Sequence, residues 1–198
     1  MARRDMGVMR HALADRGDDL YETPPDVTRA LLRTGALDQY RHPIWEPCAG
    51  RGAMVEVLQE AGHTVIAHDL RAYDGAIPGI VSGRDFLLEW NPPARLIVTN
   101  PPFKLANEMI RHGLALGCDM IVFLRLAAIE GAGRSDIIDR HLRRAWIGIE
   151  RAPAMHREGW TGNKLIHAGA PHAWYHFAAL PWPAGSPIQT TRISWRAS

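Results

Sequence analysis

The sequence is short of cysteine and of long apolar runs. Cys48 and Cys118 are the only cysteines in 198 residues, and they have neither the paired spacing of a zinc site nor the number that a disulfide framework needs. No apolar stretch approaches the length of a membrane span, and residues 1–20 are charged throughout, without the apolar centre of a signal peptide. We therefore expect a cytoplasmic protein with no membrane partner and with an N-terminal arm over residues 1–20.

Lysine is also nearly absent. Lys104 and Lys164 are the only lysines among 23 basic residues, so the other 21 are arginines. Arginine forks onto phosphates and stacks on bases better than lysine does, but a skewed genomic base composition gives the same excess. The formal net charge is only +2, so overall charge does not by itself indicate a nucleic-acid partner.

Apolar runs of strand length alternate with helical patterns through most of the chain. This alternation predicts an α/β fold, in which a mostly parallel sheet is covered by helices on both faces. A length of 198 residues suits one domain, residues 1–198. The last two apolar runs, residues 145–149 and 173–177, have no helix between them and predict a C-terminal antiparallel hairpin. The proline-rich tail over residues 181–198 is predicted to be irregular.

The individual elements follow from periodicity and from capping signals. Thr23 and Ser135 are predicted to cap the first and last helices, and Gly62 to end the second. The predicted helices cover residues 23–35, 52–61, 104–116 and 135–142. Residues 44–50 are predicted to form a short strand that runs into a glycine turn, and the other predicted parallel strands cover residues 64–69, 79–81, 96–99 and 120–124.

Residues 100–103 read Asn-Pro-Pro-Phe and directly follow the apolar run 95–99, which predicts a buried strand. The carboxyl ends of strands are the ligand-binding positions of an open α/β sheet. Two consecutive prolines fix φ and remove two backbone donors, so the corner cannot close into a helix. An amide and a ring held in this way suit a pocket for a planar group that bears an amine. A rigid turn without a ligand is the alternative.

The loop at residues 46–52 follows a strand and opens a helix. Its glycines, Gly50 and Gly52, let a ligand approach the backbone, and the helix N-terminus adds unpaired N–H groups. Asp69 ends the next strand, where an acid can accept both hydroxyls of a ribose. Asp85 could accept the exocyclic amine of an adenine, or it could be a solvated acid or the cap of a short turn. The pattern predicts a nucleoside site, with a tight strand–helix turn as the alternative.

This order of motifs, from Thr23-Pro24 through the glycine loop, Asp69 and Asp85 to Asn-Pro-Pro-Phe, resembles the S-adenosylmethionine-dependent amino-methyltransferases. Within them it is most similar to the N6-adenine DNA methyltransferases with the gamma-type motif order. The resemblance covers residues 20–125, and Asn-Pro-Pro-Phe is its specific motif. It implies a Rossmann-like class I methyltransferase fold, S-adenosyl-L-methionine as cofactor, and direct attack by the N6 amine of a flipped adenine in DNA.

Other substrates and roles stay open on the same motifs. RNA and protein-glutamine methyltransferases use the related Asn-Pro-Pro-Tyr, so an RNA adenine or a protein glutamine is an alternative substrate. A nucleic-acid-binding module without catalysis is a further alternative, against which the intact corner argues.

The resemblance implies a role for each motif residue. Asn100 and the carbonyl of Pro101 would accept the N–H groups of the target amine, and Phe103 would stack on the target base. Glu46 and the glycine loop would hold the methionine part of the cofactor. The implied catalytic residues are Asn100, Pro101, Pro102 and Phe103, and the implied cofactor-binding residues are Thr23, Pro24, Glu46, Pro47, Cys48, Ala49, Gly50, Gly52, Asp69, Leu70, Asp85 and Phe86.

A chain of this length has no room for a separate target-recognition domain. The candidate recognition loop is residues 151–171, where basic and aromatic side chains interleave as in nucleic-acid-binding segments; an ordinary surface loop is the alternative. Its histidines, with His172 and His176, lack a spacing that would suit a metal site. The predicted nucleic-acid-binding residues are Lys104, Arg151, Arg157, Trp160 and Lys164, with His156 and His167 in the same loop.

Overall fold

The computed structural model describes residues 20–153, 156–157 and 170–196. Its strands are β1 (Tyr21–Glu22), β2 (Ile44–Glu46), β3 (Val65–Ala67), β4 (Leu96–Thr99), β5 (Asp119–Arg125), β6 (Leu142–Gly148), β7 (His156–Arg157), β8 (His172–Phe177) and β9 (Gln189–Ile193). Its helices are α1 (Pro25–Arg33), α2 (Ala53–Glu60), α3 (Ala106–Ala115) and α4 (Ser135–His141).

Seven strands form one mixed sheet in the order β3-β2-β4-β5-β8-β6-β9, and β1 pairs with β7 in a separate ribbon. Strands β3, β2, β4 and β5 are parallel, whereas β8 runs antiparallel between β5 and β6. The predicted α/β class and the antiparallel pair near the C-terminus are therefore confirmed. Among the described residues, no helix is long and apolar enough to cross a membrane.

Strand β4 shows why the sheet carries helices on both faces. All four of its residues are buried, and successive side chains point to opposite faces. Leu96 and Val98 pack with the buried residues of α1 and α2, while Ile97 packs with those of α3. A strand buried on both faces reads as a continuous apolar run, which is what the sequence shows before the Asn-Pro-Pro-Phe corner. The corner is thereby held at the carboxyl end of a central strand.

The two predicted N-terminal helix caps, Thr23 and Ser135, are wrong. Pro24 occupies the cap position of α1, without a side-chain hydrogen bond, so Thr23 lies one residue too early. Ser135 is the first residue of α4, and its hydroxyl donates to the carbonyl of Ala132 at 2.9 Å instead of accepting from the helix. Proline at the start of α1 still supplies the fixed φ that favours helix initiation.

The predicted third strand, residues 79–81, is reduced to one bridge between Val81 and His68. Glycines on either side take left-handed backbone conformations, with φ of 94° at Gly79 and 77° at Gly83. These conformations break the extended backbone, because a strand requires negative φ at each residue.

The predicted irregular tail contains strand β9, which pairs parallel with β6 at the edge of the sheet. The prolines of the tail all lie before this strand. Beyond it, Trp195 is 1% exposed, and its indole N–H donates to the carbonyl of Glu150 at 2.9 Å. A Cβ on Gly148 would lie 2.3 Å from the Trp195 ring, so glycine makes room for it. Burial of the tryptophan thus orders a segment whose composition is typical of a loop.

Candidate active site

A cleft lies along the carboxyl ends of β2, β3 and β4, where the two main sequence motifs meet. The structure places ten of the predicted cofactor-binding residues and two residues of the corner in its lining. Four others, Pro24, Gly52, Pro101 and Phe103, are not part of that lining. The predicted residues that are among those lining it are Thr23, Glu46, Pro47, Cys48, Ala49, Gly50, Asp69, Leu70, Asp85 and Phe86, with Asn100 and Pro102.

Glu46, at the end of β2, has a buried carboxyl group, and only one of its two oxygens is hydrogen-bonded within the described residues. Oε1 accepts from the Thr99 hydroxyl at 2.7 Å and from the Cys48 N–H at 2.9 Å. Oε2 has no hydrogen-bond partner among the described residues. Burial raises the pKa of Glu46 to about 8, although the two hydrogen bonds act in the opposite direction. An orphaned acceptor of this kind fits an ammonium group entering the cleft.

Asp69 is fixed by backbone donors at the end of the β3 segment. Its Oδ2 accepts from the Gly50 N–H at 2.8 Å, and its Oδ1 accepts from the Arg71 N–H at 2.9 Å. Burial raises its pKa, and these hydrogen bonds offset part of the rise. Each carboxylate oxygen can accept more than one hydrogen bond, so a ribose diol can bind an aspartate held in this way.

Asp85 begins the short 3-10 helix Phe86–Leu88, where its Oδ1 accepts from the Leu87 N–H at 2.9 Å. The alternative prediction, that Asp85 caps a short turn, is therefore correct for one of its carboxylate oxygens. The same side chain also lines the cleft, with Phe86 beneath it packed on Trp45 at a ring separation of 5.0 Å. The cap thus fixes the orientation of a carboxylate that lines the cleft.

Backbone geometry and packing both require glycine at positions 50 and 52 of the loop. Gly50 has φ of 57°, and a Cβ there would lie 2.8 Å from Leu20. Gly52 has φ of 102°, and a Cβ would lie 2.4 Å from Ile77. Gly52 thus supports the turn into α2 from outside the cleft.

The Asn-Pro-Pro-Phe corner is held by the N-terminal segment. The Asn100 amide nitrogen donates to the backbone oxygen of Tyr21 at 3.1 Å. The Tyr21 ring lies 5.4 Å from the Phe103 ring at an angle of 41°, and the Arg125 guanidinium lies 4.8 Å from the centre of the same ring. Phe103 therefore sits among an aromatic and a cationic side chain, as base-stacking residues in nucleic-acid-binding proteins do.

One strand of the predicted recognition loop lies beside the N-terminal segment that holds this corner. Residues 156–157 form strand β7, which pairs with β1 so that Arg157 lies opposite Tyr21. Arg151 and Lys104 are exposed. Most of the loop, including Trp160, Lys164 and His167, lies outside the described residues.

The two histidines of β8 are engaged in packing. His172 stacks on Phe123 at 5.0 Å, and His176 lies 3.0 Å from the Tyr40 hydroxyl. No group of three potential metal ligands occurs in the part of the chain that the structure describes.

Sequence reasoning missed Tyr21, which lines the cleft, and Arg125, which contacts Phe103 of the corner. A signal exists for Arg125, because it ends the parallel strand next to β4 and so lies at the same edge of the sheet. Tyr21 carries a weaker signal, since it only precedes Thr23 by two residues.

No protein-family model matches the chain, and no curated protein sequence matches it. Several solved structures share its fold. A candidate RNA methyltransferase from Pyrococcus horikoshii superposes with a TM-score of 0.59 at 14% identity, over 80% of this chain and 85% of that one. Protein 1320 from Thermoplasma acidophilum gives 0.52 at 13%, over 81% and 86%. A modification subunit of a candidate type I restriction enzyme from Vibrio vulnificus gives 0.51 at 13%, over 89% and 50%. The chain therefore has the Rossmann-like fold found in methyltransferases.

Proposed function

We propose that this protein is an S-adenosylmethionine-dependent methyltransferase that methylates the N6 amine of adenine in DNA. The observation that carries the proposal is that the Asn-Pro-Pro-Phe corner ends β4 and opens on the same cleft as Glu46, Asp69 and Asp85. This common position supports the proposal, because a corner that would bind the target amine and acids that would bind the cofactor then lie at the carboxyl ends of neighbouring strands.

The acids of the cleft fit the parts of the proposed cofactor. Glu46 Oε2, which lacks a partner among the described residues, suits the ammonium of the methionine part. Asp69 suits the ribose and Asp85 the adenine amine. When bound, the cofactor would supply an electrophilic methyl group on a sulfonium, and this transfer needs neither a metal nor a base.

The corner supplies positioning for the target amine. The exocyclic amine of adenine is a weak nucleophile because its lone pair is delocalised into the ring. Acceptors at Asn100 Oδ1 and the Pro101 carbonyl would bond its two N–H groups and favour a tetrahedral nitrogen. Donation from Asn100 to Tyr21 supports this role, because it fixes which end of the amide is nitrogen. Such positioning lowers a barrier by roughly 7–11 kcal/mol in favourable cases.

DNA would present the adenine out of the stack, because a base inside a duplex cannot reach a cleft of this kind. Phe103 would stack on the flipped base. Lys104, which directly follows the corner, and Arg151, where the candidate recognition loop starts, are exposed and would contact the phosphate backbone of the DNA. If the loop over residues 151–171 is the reader, we infer a short or relaxed target sequence, and we propose that the enzyme acts in the cytoplasm.

A labelling experiment tests this function. The purified protein is incubated with S-adenosylmethionine labelled in the methyl group and with single-stranded DNA, duplex DNA, RNA or protein, and the acceptor is hydrolysed and identified. We expect N6-methyladenine from DNA. The RNA arm is informative because one structural neighbour is a candidate RNA methyltransferase. Label confined to RNA or to glutamine would contradict the substrate, and no label in any arm from folded, cofactor-bound protein would contradict the activity.

A matched pair of variants tests the corner. Asn100→Ala should lower methyl transfer by about 100-fold or more, the usual loss when one transition-state contact is removed. Its affinity for S-adenosylhomocysteine should stay close to that of the unchanged protein. Asn91→Ala makes the same change at an exposed position and should be active. Equal activity of the two variants would exclude the proposed mechanism.

A further inference from the structure

A second cavity lies beside the Asn-Pro-Pro-Phe corner, between α3, the end of β5 and α4. Phe103 forms part of its wall, whereas the acids of the cofactor cleft do not line it. Most of the lining is aliphatic, and it includes Ala106, Ile110, Leu124, Ile137 and Ile138. A cavity of this type accepts a flat apolar face of a ligand.

Two polar side chains at the cavity have no hydrogen bond within the part of the chain that the structure describes. Arg125, at the carboxyl end of β5, is exposed, and its guanidinium lies over the Phe103 ring. Asn107, in the first turn of α3, is half-buried in the wall. A third polar residue, Arg134, donates to the carbonyl of Ala128 at 2.6 Å. A guanidinium and an amide therefore flank an aliphatic floor with their donors available to a ligand.

This combination matches one nucleotide. The aliphatic floor would cover a base, the Asn107 amide can form two hydrogen bonds with the edge of a base, and the guanidinium can bind a phosphate. The cavity shares the wall at Phe103, which stacks on the target adenine if the proposed function is correct. A nucleotide held here would therefore be the immediate neighbour of the target on the same strand.

We propose that the cavity binds the base of the nucleotide next to the target adenine in DNA, with Arg125 on the phosphate that joins the two. The inference rests on the proposed function and extends it, because it assigns a reading position to the compact domain itself. The nucleotide on one side of the target adenine should then affect binding more than the nucleotide on the other side.

Binding to oligonucleotides tests the subsite without any methyl transfer. A labelled single strand with one adenine is titrated with the protein and S-adenosylhomocysteine, and the fluorescence anisotropy is followed. Replacing the neighbouring nucleotide by an abasic one should weaken binding about 10-fold or more on one side of the adenine, and far less on the other. Equal affinity for the intact strand and for both abasic strands would overturn the proposal.

Two matched pairs of variants locate the effect. Ala127→Trp fills the mouth of the cavity from an exposed position and should remove the difference between intact and abasic strands. Ala132→Trp, exposed but outside the lining, should keep it. Arg125→Gln should reduce the slope of log affinity against log salt concentration by about 0.7 for a single strand. The control Arg95→Gln changes an exposed arginine at the amino end of β4 and should leave this slope unchanged. An Ala127→Trp variant that still discriminates the abasic strand would also overturn the proposal.

These outcomes separate the subsite from the proposed function. Flank-dependent binding without methyl transfer would retain the subsite and contradict only the chemistry. Methyl transfer to adenine without flank dependence would retain the chemistry and contradict only the subsite.

Discussion

The side-chain amide of Asn100 donates to the backbone oxygen of Tyr21 across 79 residues of sequence, at 3.1 Å. Tyr21 also pairs with Arg157, which belongs to the candidate recognition loop. One short ribbon therefore joins the amide proposed to hold the target amine to the segment proposed to contact the substrate. The N-terminal segment is thus a structural part of the site.

Removing the Tyr21 ring should lower catalysis without unfolding the protein. An aromatic pair contributes about 0.5–1.5 kcal/mol, so Tyr21→Ala should reduce kcat by up to roughly 10-fold as Phe103 loses its neighbour. Tyr21→Phe keeps the ring and should retain the rate. Methyl transfer under saturating DNA and cofactor measures the effect. A Tyr21→Ala variant with an unchanged kcat would show that the ring contact has no part in catalysis.

Cofactor affinity should rise with pH and level off near pH 8. The ionised form of Glu46 is the one that accepts an ammonium, and its pKa without cofactor is about 8. Below that value binding requires loss of a proton, so the affinity for S-adenosylhomocysteine should increase about tenfold per pH unit between pH 6 and 8. Calorimetry at several pH values measures this slope.

The variants of this experiment assign the slope to one residue. Glu46→Gln should bind more weakly and with little pH dependence, whereas Glu56→Gln, exposed on α2, should behave as the unchanged protein. The raised pKa also means that the cofactor-free fold loses stability as the pH rises from about 4.5 towards 8. If Glu46→Gln kept the same dependence of cofactor affinity on pH, a group other than Glu46 would be responsible for it.

Acid should remove the contribution of Asp119 to stability. Burial disfavours its charge, but His176 Nε2 at 3.9 Å, the Ala179 N–H at 2.9 Å and the Tyr40 hydroxyl at 2.7 Å lower its pKa from 3.8 to about 2. A lowered carboxyl pKa stabilises the fold above the unfolded value and loses that effect as the pH falls from about 4 to 2. Asp119→Asn should therefore cost about 1–2 kcal/mol at pH 5 and less at pH 3.

Urea unfolding at both pH values measures this difference. Asp139→Asn, at an exposed position of α4, is the matched control and should have little effect at either pH. A cost of Asp119→Asn that is the same at pH 5 and at pH 3 would contradict the interpretation.

Trp195→Ala should destabilise the protein by about 3–5 kcal/mol, the usual cost of truncating a buried tryptophan. The ring packs edge-on against Phe123 at 5.9 Å and fills the space above Gly148. Trp182→Ala, at a residue that is 45% exposed, should cost far less. Chemical denaturation compares the two variants, and similar losses would show that the tail does not seal the core.

Elements with strong local patterns could be predicted from the sequence. The run that forms β4 predicted a buried strand. The two prolines that follow it restrict the backbone by their covalent structure, so the rigid corner could be predicted as well. The glycine loop was predictable for a related reason, because Gly50 must adopt a backbone conformation that other residues avoid.

Features that depend on distant partners could not be predicted. Strand β9 has exposed, polar residues and becomes a strand only through its register with β6. The contacts of Tyr21 and Arg125 with Phe103 join three separate segments, and no local pattern encodes them. The mistaken cap at Thr23 differs by one position, which is the scale at which helix boundaries depend on the exact backbone path.

The position of Trp195 has a consequence for biosynthesis. A nascent chain leaves the ribosome from its N-terminus, so the sheet can assemble up to β8 while the gap over Phe123 is still open. The tryptophan that closes this gap follows both β8 and β9 along the chain. Folding of this domain therefore cannot finish until Trp195 has left the ribosome, and products stalled before it would expose aromatic surface that chaperones bind.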